Sequence, residues 1–186
     1  MAAAAHAQEL VPERLNPPTF QVAVESGYML GFRNPNSYEV AAQFLTARMR
    51  WGVIDDDSFL RGYQQIYFTA MGESFVRGLE NRYFGISAGL RYNFVRRGSR
   101  WSPYVSGGVG LGWVDATRLP ARGALGQDFS FNVLAAAGAT YRLTERWEIS
   151  AGVMYQHLSN AAMSEPARPN AALNSIGPQV GATFSF

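Results

Sequence analysis

His157 and Ser159 stand two residues apart in the segment Tyr155-Gln156-His157-Leu158-Ser159-Asn160. In an extended strand, side chains two apart point the same way, so imidazole and hydroxyl share one face. A hydrogen bond from the serine Oγ to Nε2 is what such a nucleophile needs in order to lose its proton. A third group must accept a hydrogen bond from the other ring nitrogen, and Asn174 can do so through its amide oxygen. It lacks the charge with which a carboxylate stabilises imidazolium. Asn160, beside the serine, can contribute to an oxyanion hole through its backbone N–H or its side chain. His-x-Ser is nonetheless a common pattern, and a histidine at a strand end often only hydrogen-bonds to its surroundings, so spacing alone leaves catalysis open.

The elements that must position these groups are strands. Counting back from the end, Phe186, Phe184, Ala182, Val180, Pro178 and Ile176 alternate with Ser185, Thr183, Gly181, Gln179, Gly177 and Ser175, which is period two with one apolar face. Asn174 falls on the apolar file. The preceding strand places Trp147, Ile149, Ala151, Val153 and Tyr155 on one file, and the alternation carries His157 and Ser159 onto it, on the order of 25 Å above Trp147 along a tilted strand. The same alternation recurs upstream from Thr19 to Gly31, Tyr38 to Trp51, Arg82 to Phe94, Trp101 to Val114, and Phe129 to Arg142. A stretch near Ser58 to Met71 is less regular, because Tyr63 and Tyr67 oppose Leu60, Ile66 and Phe68; an interior that accepts tyrosine explains it. Turn residues punctuate the series at Asn34-Pro35-Asn36-Ser37, Asp55-Asp56-Asp57, Arg96-Arg97-Gly98 and Thr144 to Arg146.

Eight such strands without an intervening helical pattern predict an all-β fold, an eight-stranded antiparallel up-and-down barrel. The polar files carry Glu25, Arg48, Arg50, Arg91, Arg142 and Glu148, and the apolar files end in Trp51, Tyr92, Trp113, Tyr141, Trp147 and Tyr155. Charges enclosed in opposed pairs and aromatic girdles at both interfaces are the signature of a transmembrane β-barrel. In a soluble barrel the apolar files would point inward. With both termini on the periplasmic side, loops near 32 to 37, 72 to 81, 115 to 127 and 160 to 171 lie outside the cell. Turns near 52 to 57, 95 to 100 and 143 to 146 lie inside.

Composition narrows the classes further. The 186 residues fit one domain, from 19 to 186, behind a lead-in from 1 to 18 with prolines at 12, 17 and 18. Ala5-His6-Ala7 fits the small-x-small pattern of a signal-peptidase site, so residues 1 to 7 read as a signal remnant or as coincidence in an alanine-rich start. No apolar run approaches the roughly 18 residues of a membrane helix. The chain has 0 cysteines, which removes disulfide and thiol chemistry. All 16 Lys and Arg positions are arginine, and a net charge of only +2 with no basic cluster beyond Arg96-Arg97 and Arg100 argues against nucleic acid as a partner.

His157-Leu158-Ser159-Asn160-Ala161, followed by Pro169-Asn170-Ala171-Ala172-Leu173-Asn174-Ser175 and a last strand ending on phenylalanine, resembles the lipid A 3-O-deacylase (PagL) family of outer-membrane barrels. The likeness rests on motif over the last 30 or so residues and on architecture and length elsewhere. It implies a carboxylic ester hydrolase acting on lipid A of lipopolysaccharide in the outer membrane of a Gram-negative bacterium. In that family's pattern His157 is the base, Ser159 the nucleophile and Asn160 the oxyanion contributor, at a site facing the outer leaflet, with no metal or cofactor. The family's acidic residue falls on Asn174, a departure that leaves three outcomes open. Asn174 orients His157 at reduced rate, Glu165 in the adjoining loop swings in as the acid, or the site is weak or silent. An amide that selects the wrong tautomer costs about 10⁴ in turnover in a serine triad. Rim arginines, among them Arg33, Arg77, Arg82, Arg118, Arg122 and Arg168, are candidates for lipid A phosphates. The expected partners are lipid A, outer-membrane lipids and, as an open option, a second copy in a homodimer. The rival reading is a non-enzymatic small barrel with structural or adhesive function.

Overall fold

In the computed structural model, which describes residues 15, 17–33, 37–118 and 125–186, eight strands close into one barrel. They are β1 (Phe20–Gly31), β2 (Glu39–Ile54), β3 (Gly62–Arg77), β4 (Arg82–Phe94), β5 (Trp101–Val114), β6 (Phe129–Arg142), β7 (Trp147–Ser159) and β8 (Leu173–Ser185). Each pairs antiparallel with its neighbour in sequence, and β1 closes the ring against β8 with Gln21 opposite Ser185 and Gly31 opposite Ser175. A one-turn 3-10 helix, Ala116–Arg118, sits in the connection after β5. The signal-remnant reading of residues 1 to 7 concerns residues outside those described.

The apolar files face outward. Phe68 and Val109 are each 65% exposed, and Leu45, Ile86, Leu90, Val153 and Val180 belong to the same belt. A continuous apolar surface of that kind exceeds the few hundred Å² that a protein in water tolerates, so a lipid phase must cover it. Aromatic rings edge the belt at both ends. Trp101 meets Tyr141 at 4.7 Å between centroids and Trp147 meets Phe184 at 5.0 Å at one rim, while Trp113, Phe129 and Phe131 pack edge to face at the other. These are the interfacial girdles of a transmembrane barrel.

The polar files face inward and satisfy one another. Arg48 pairs with Glu25 at 2.6 Å and donates to Thr183, while Thr46 donates to Glu25. Arg91 donates to Asn93 and Thr140 and lies 3.6 Å over the Tyr104 ring. Gln21, Gln65 and Asn93 continue the chain of bonds. Interior tyrosines fit because glycines face them: a Cβ on Gly108 would lie 2.2 Å from the Tyr67 hydroxyl, and one on Gly152 would lie 2.8 Å from that of Tyr104. The glycine file of β5 is thus the socket for bulky rings on neighbouring strands. Glu25, Arg48, Arg91 and Tyr104 line a small interior cavity of about 30 Å³.

The second strand runs on to Ile54 where Trp51 was expected to end it, and both ends of the third differ as well. β3 starts at Gly62 rather than near Ser58, because the Asp56 carboxylate accepts hydrogen bonds from both the backbone N–H and the hydroxyl of Ser58, holding a turn in place of a ladder. It also runs on to Arg77, so the connection expected at 72 to 81 shrinks to 78–81. Gly72 does not break the strand, and Glu73 turns into the barrel, where it accepts from Gln156 at 2.5 Å. Register shifts at both ends of the β2–β3 ladder absorb the extra length as bulges.

Candidate active site

Strand β7 carries Met154, Gln156 and Leu158 inward, so Tyr155, His157 and Ser159 face outward on the alternate file. In β8, Leu173 and Ser175 are buried and Asn174 points out between them. The antiparallel register sets His157 directly opposite Asn174. Their side chains meet, with His157 Nδ1 2.9 Å from Asn174 Oδ1. An amide oxygen has no hydrogen to give, so Nδ1 carries the proton and Nε2 presents its lone pair on the far side of the ring. That is the tautomer a general base requires. The Tyr155 hydroxyl donates to the same Oδ1 at 2.9 Å, and the N–H of Phe32, at the start of the first loop, donates to the Asn174 carbonyl at 3.0 Å. The Phe32 and Tyr155 rings pack 6.0 Å apart over this flank.

From inside, the Gln156–Glu73 hydrogen bond holds the stretch of β7 between Tyr155 and His157. The pair fixes the site's platform without entering it.

Ser159 ends β7. Its Oγ accepts two hydrogen bonds, from the backbone N–H of Ala161 at 3.2 Å and from Asn170 Nδ2 at 3.0 Å. The first depends on an uncommon backbone: Ala161 and Ala162 are both left-handed, with φ of 53° and 63°. For residues that carry a Cβ this costs roughly 1–3 kcal/mol each. Among the described residues no hydrogen bond joins His157 to Ser159, although both lie on one face of one strand. Resting enzymes often hold such a pair apart and tighten it when substrate binds.

The other expected site residues lie as follows. Asn160 is fully buried, and Nδ2 donates both amide hydrogens, one to the Leu125 carbonyl, which ties the last loop to the preceding one, and one to Ser164 Oγ within the last loop itself. Its backbone N–H points at Asn170 Oδ1, 3.4 Å away. Glu165 is exposed and accepts the Asn170 N–H at 3.3 Å; the structure does not bring it to His157. Arg168 reaches the Gly126 carbonyl at 3.4 Å and joins the same loop contact. Arg118 closes the 3-10 turn, and its side chain, like the whole of Arg122, lies outside the described residues.

Further anchors sit behind the loops. The Glu80 carboxylate accepts from the Tyr38 hydroxyl at 2.5 Å and from the Leu125 N–H at 3.3 Å. Loss of solvent and the hydrogen bond to Glu80 both push the Tyr38 phenol above its usual pKa, so it stays a donor.

Sequence reasoning missed Asn170 and the Ala161 N–H as partners of Ser159, and it took Tyr155 for a girdle residue only. Period-two alternation could have found Tyr155, which lies on the His157 file. Nothing periodic marks Asn170, because a loop has no repeat to read.

The family model described as Lipid A 3-O-deacylase (PagL) matches residues 36–183. Among solved structures, the outer membrane enzyme PagL superposes with a TM-score of 0.61 at 20% identity, covering 87% of this chain and 97% of the other. Neisserial surface protein A (NspA) superposes with a TM-score of 0.62 at 17% identity, covering 90% of this chain and 97% of the other. No curated protein matches the chain. The homodimer that the sequence left as an option finds no support in these comparisons. A family match that runs from the first loop to the last strand, over a closed eight-stranded barrel with an apolar exterior, establishes that this outer-membrane chain belongs to the lipid A 3-O-deacylase (PagL) family.

Proposed function

We propose that the protein removes the 3-O-linked acyl chain of lipid A by a serine esterase mechanism, with Ser159 as nucleophile and His157 as general base. The observation that carries this reading is the His157–Asn174 hydrogen bond, which fixes the productive tautomer on the face that Ser159 shares. Family membership supports the substrate class. Position supports it as well. Ser159 pairs with Phe131 and His157 with Val133, both on the outward apolar belt, so the reactive groups lie at its upper edge. In a lipid leaflet the acyl esters occupy that depth. We assign this rim to the outer leaflet.

In the first step Ser159 Oγ bonds to the ester carbonyl carbon while its proton passes to His157 Nε2. The carbonyl π pair moves onto oxygen. Collapse expels the sugar 3-oxygen, which takes the proton back from Nε2 and leaves an acyl group on Ser159. Water, deprotonated by His157, then releases the fatty acid. Asn174 holds the imidazole through both steps, and Tyr155 holds Asn174.

One observation favours the non-enzymatic barrel: position 174 carries an amide where the acid of the triad is expected. Lipid A mass spectrometry decides between the two readings. Expressed with an export signal in a Gram-negative host, the unaltered protein should remove one 3-linked acyl chain, and His157→Ala and Ser159→Ala should each leave lipid A intact. Intact lipid A around a correctly inserted, unaltered barrel would establish the non-enzymatic reading.

A further inference from the structure

We infer that Glu73 is a positioning residue for the reaction. From inside the barrel it sets the Gln156 amide, and through Gln156 and Ser175 it holds His157 and Asn174 together on the outer face. This rests on the serine esterase reading above, in which His157 is the general base.

Side chains one apart on a strand point to opposite faces, so each member of the outward pair has an inward neighbour on the adjoining peptide. Gln156 precedes His157, Ser175 follows Asn174, and the register sets Gln156 opposite Ser175 just as it sets His157 opposite Asn174. The outer and inner pairs are two faces of one piece of ladder. Gln156 Nε2 donates to Glu73 Oε1 at 2.5 Å, which turns the amide oxygen the other way, and the Ser175 hydroxyl lies 3.5 Å from that oxygen. Glu73 thus decides which end of the amide faces β8.

That piece of ladder needs a hold. On the β1 side, the pairing of β8 passes from Gly27–Gln179 to Leu30–Ile176 with no pair between them, and Pro178 has no N–H to give a neighbouring strand. Glu73 reaches the segment across the interior from β3, which adjoins neither β7 nor β8 in the barrel.

Glu73 is also costly where it stands. It is buried, no cationic side chain among the described residues pairs with it, and its Oε2 has no hydrogen-bond partner there. The enclosed Glu25, by contrast, has Arg48. Packing alone favours apolar groups at both positions, because exchanging a buried polar pair for apolar side chains of the same shape leaves stability nearly unchanged. The bond that orients Gln156 is what the carboxyl group adds.

The test uses the full-length protein refolded in detergent and compares Glu73→Leu, Glu73→Gln and the double variant Glu73→Leu with Gln156→Leu. Folding is checked by the heat-dependent gel shift of the barrel and stability by urea titration, and kcat and KM are measured on purified lipid A. The tautomer of His157 is read by NMR of protein labelled with ¹⁵N-histidine in mildly alkaline buffer, the signals of the chain's 2 histidines being told apart with His6→Ala. The double variant removes the clamp without leaving a buried amide unsatisfied, so its urea midpoint should stay close to that of the unaltered protein. Its kcat should nevertheless fall roughly 10–100-fold with KM unchanged, the order of loss that a misplacement of about 1 Å brings. Its imidazole should pass from the Nδ1–H tautomer alone to a mixture with Nε2–H. Glu73→Gln keeps an acceptor for Gln156 and should recover most of the kcat that Glu73→Leu loses. A folded double variant with unaltered kcat, or with the Nδ1–H tautomer still alone, overturns the inference and leaves the Ser159–His157 reading intact. A loss that lies in KM, or that only follows a loss of stability, also overturns it. Failure of Glu73→Gln to recover kcat overturns it as well, since the acceptor is then not what the site uses. Intact lipid A with the unaltered protein overturns the serine esterase reading by itself, and the tautomer ratio still decides whether Glu73 positions His157.

Discussion

Asn174 shows how much one side chain's orientation decides. An amide in the acid's position is damaging when it turns its NH₂ to the histidine and forces the wrong tautomer. Here Oδ1 faces Nδ1, and the Tyr155 hydroxyl donates to that same oxygen. What the site lacks is therefore charge, not geometry. Asn174→Asp should raise kcat by about 10-fold, the difference of ~1.4 kcal/mol between a neutral and a charge-assisted hydrogen bond to the imidazolium. Steady-state turnover of lipid A in mixed micelles measures it, and an unchanged or lower kcat would mean that the amide is already optimal. The pairing of Asn174 with His157 was legible from the sequence, since counting by twos on adjacent strands puts both on the outward face at one height. The contact of Asn170 with Ser159 was not. It depends on where a 13-residue connection, 160–172, folds back on its own start, and only three-dimensional contacts reveal that.

At the scale of the elements, the site is only as firm as the loops that carry it. Leu125 receives Asn160 on one side and donates to Glu80 on the other, so the second, third and fourth loops share one set of bonds, and Tyr38 adds the first. A parallel tie lies at the base of β4, where Asp115 accepts from the Asn81 side chain and from the backbone N–H groups of Asn81 and Arg82. Partial burial alone would raise the Asp115 pKa, but these hydrogen bonds together outweigh it and the carboxyl is held below its ordinary value. The folded state thus favours the ionised form. Its contribution is complete above the unfolded carboxylate pKa of about 3.9 and is lost as pH falls through the lower folded value. Protection of the 78–82 amides, relative to their intrinsic exchange rates, should fall below about pH 4 in the unaltered protein, and Asp115→Asn should show lower protection already at neutral pH. No difference between the two at pH 7 would remove Asp115 as the anchor. Strand order and facing were readable from alternation in seven of the eight elements. The exception was β3, whose start is set by a side-chain turn at Asp56 and whose interior accepts Tyr63 and Tyr67, so that hydrophobicity no longer reports direction.

The whole molecule inverts the usual placement of polar and apolar groups, and its stability rests on satisfying the charges that it encloses. Arg48 and Glu25 are both buried and share bonds with Thr46 and Thr183. Replacing one partner leaves the other charge enclosed and alone, a cost of about 3–5 kcal/mol. Arg48→Ala should lower the unfolding free energy by that amount in urea titrations from lipid vesicles, while Arg48→Ala with Glu25→Ala should recover part of it. A double variant no more stable than the single would show that the pair is not coupled.

The filled interior carries a further consequence. With tyrosine rings seated on glycine and the bonds of Arg48 and Arg91 spanning the interior, the barrel axis offers a lipid no passage. Reactant and both products must therefore enter and leave sideways, within the plane of one leaflet. The concentration that governs turnover is then the mole fraction of ester in that two-dimensional phase, so diluting the substrate with inert lipid slows the reaction even when its bulk concentration is held constant.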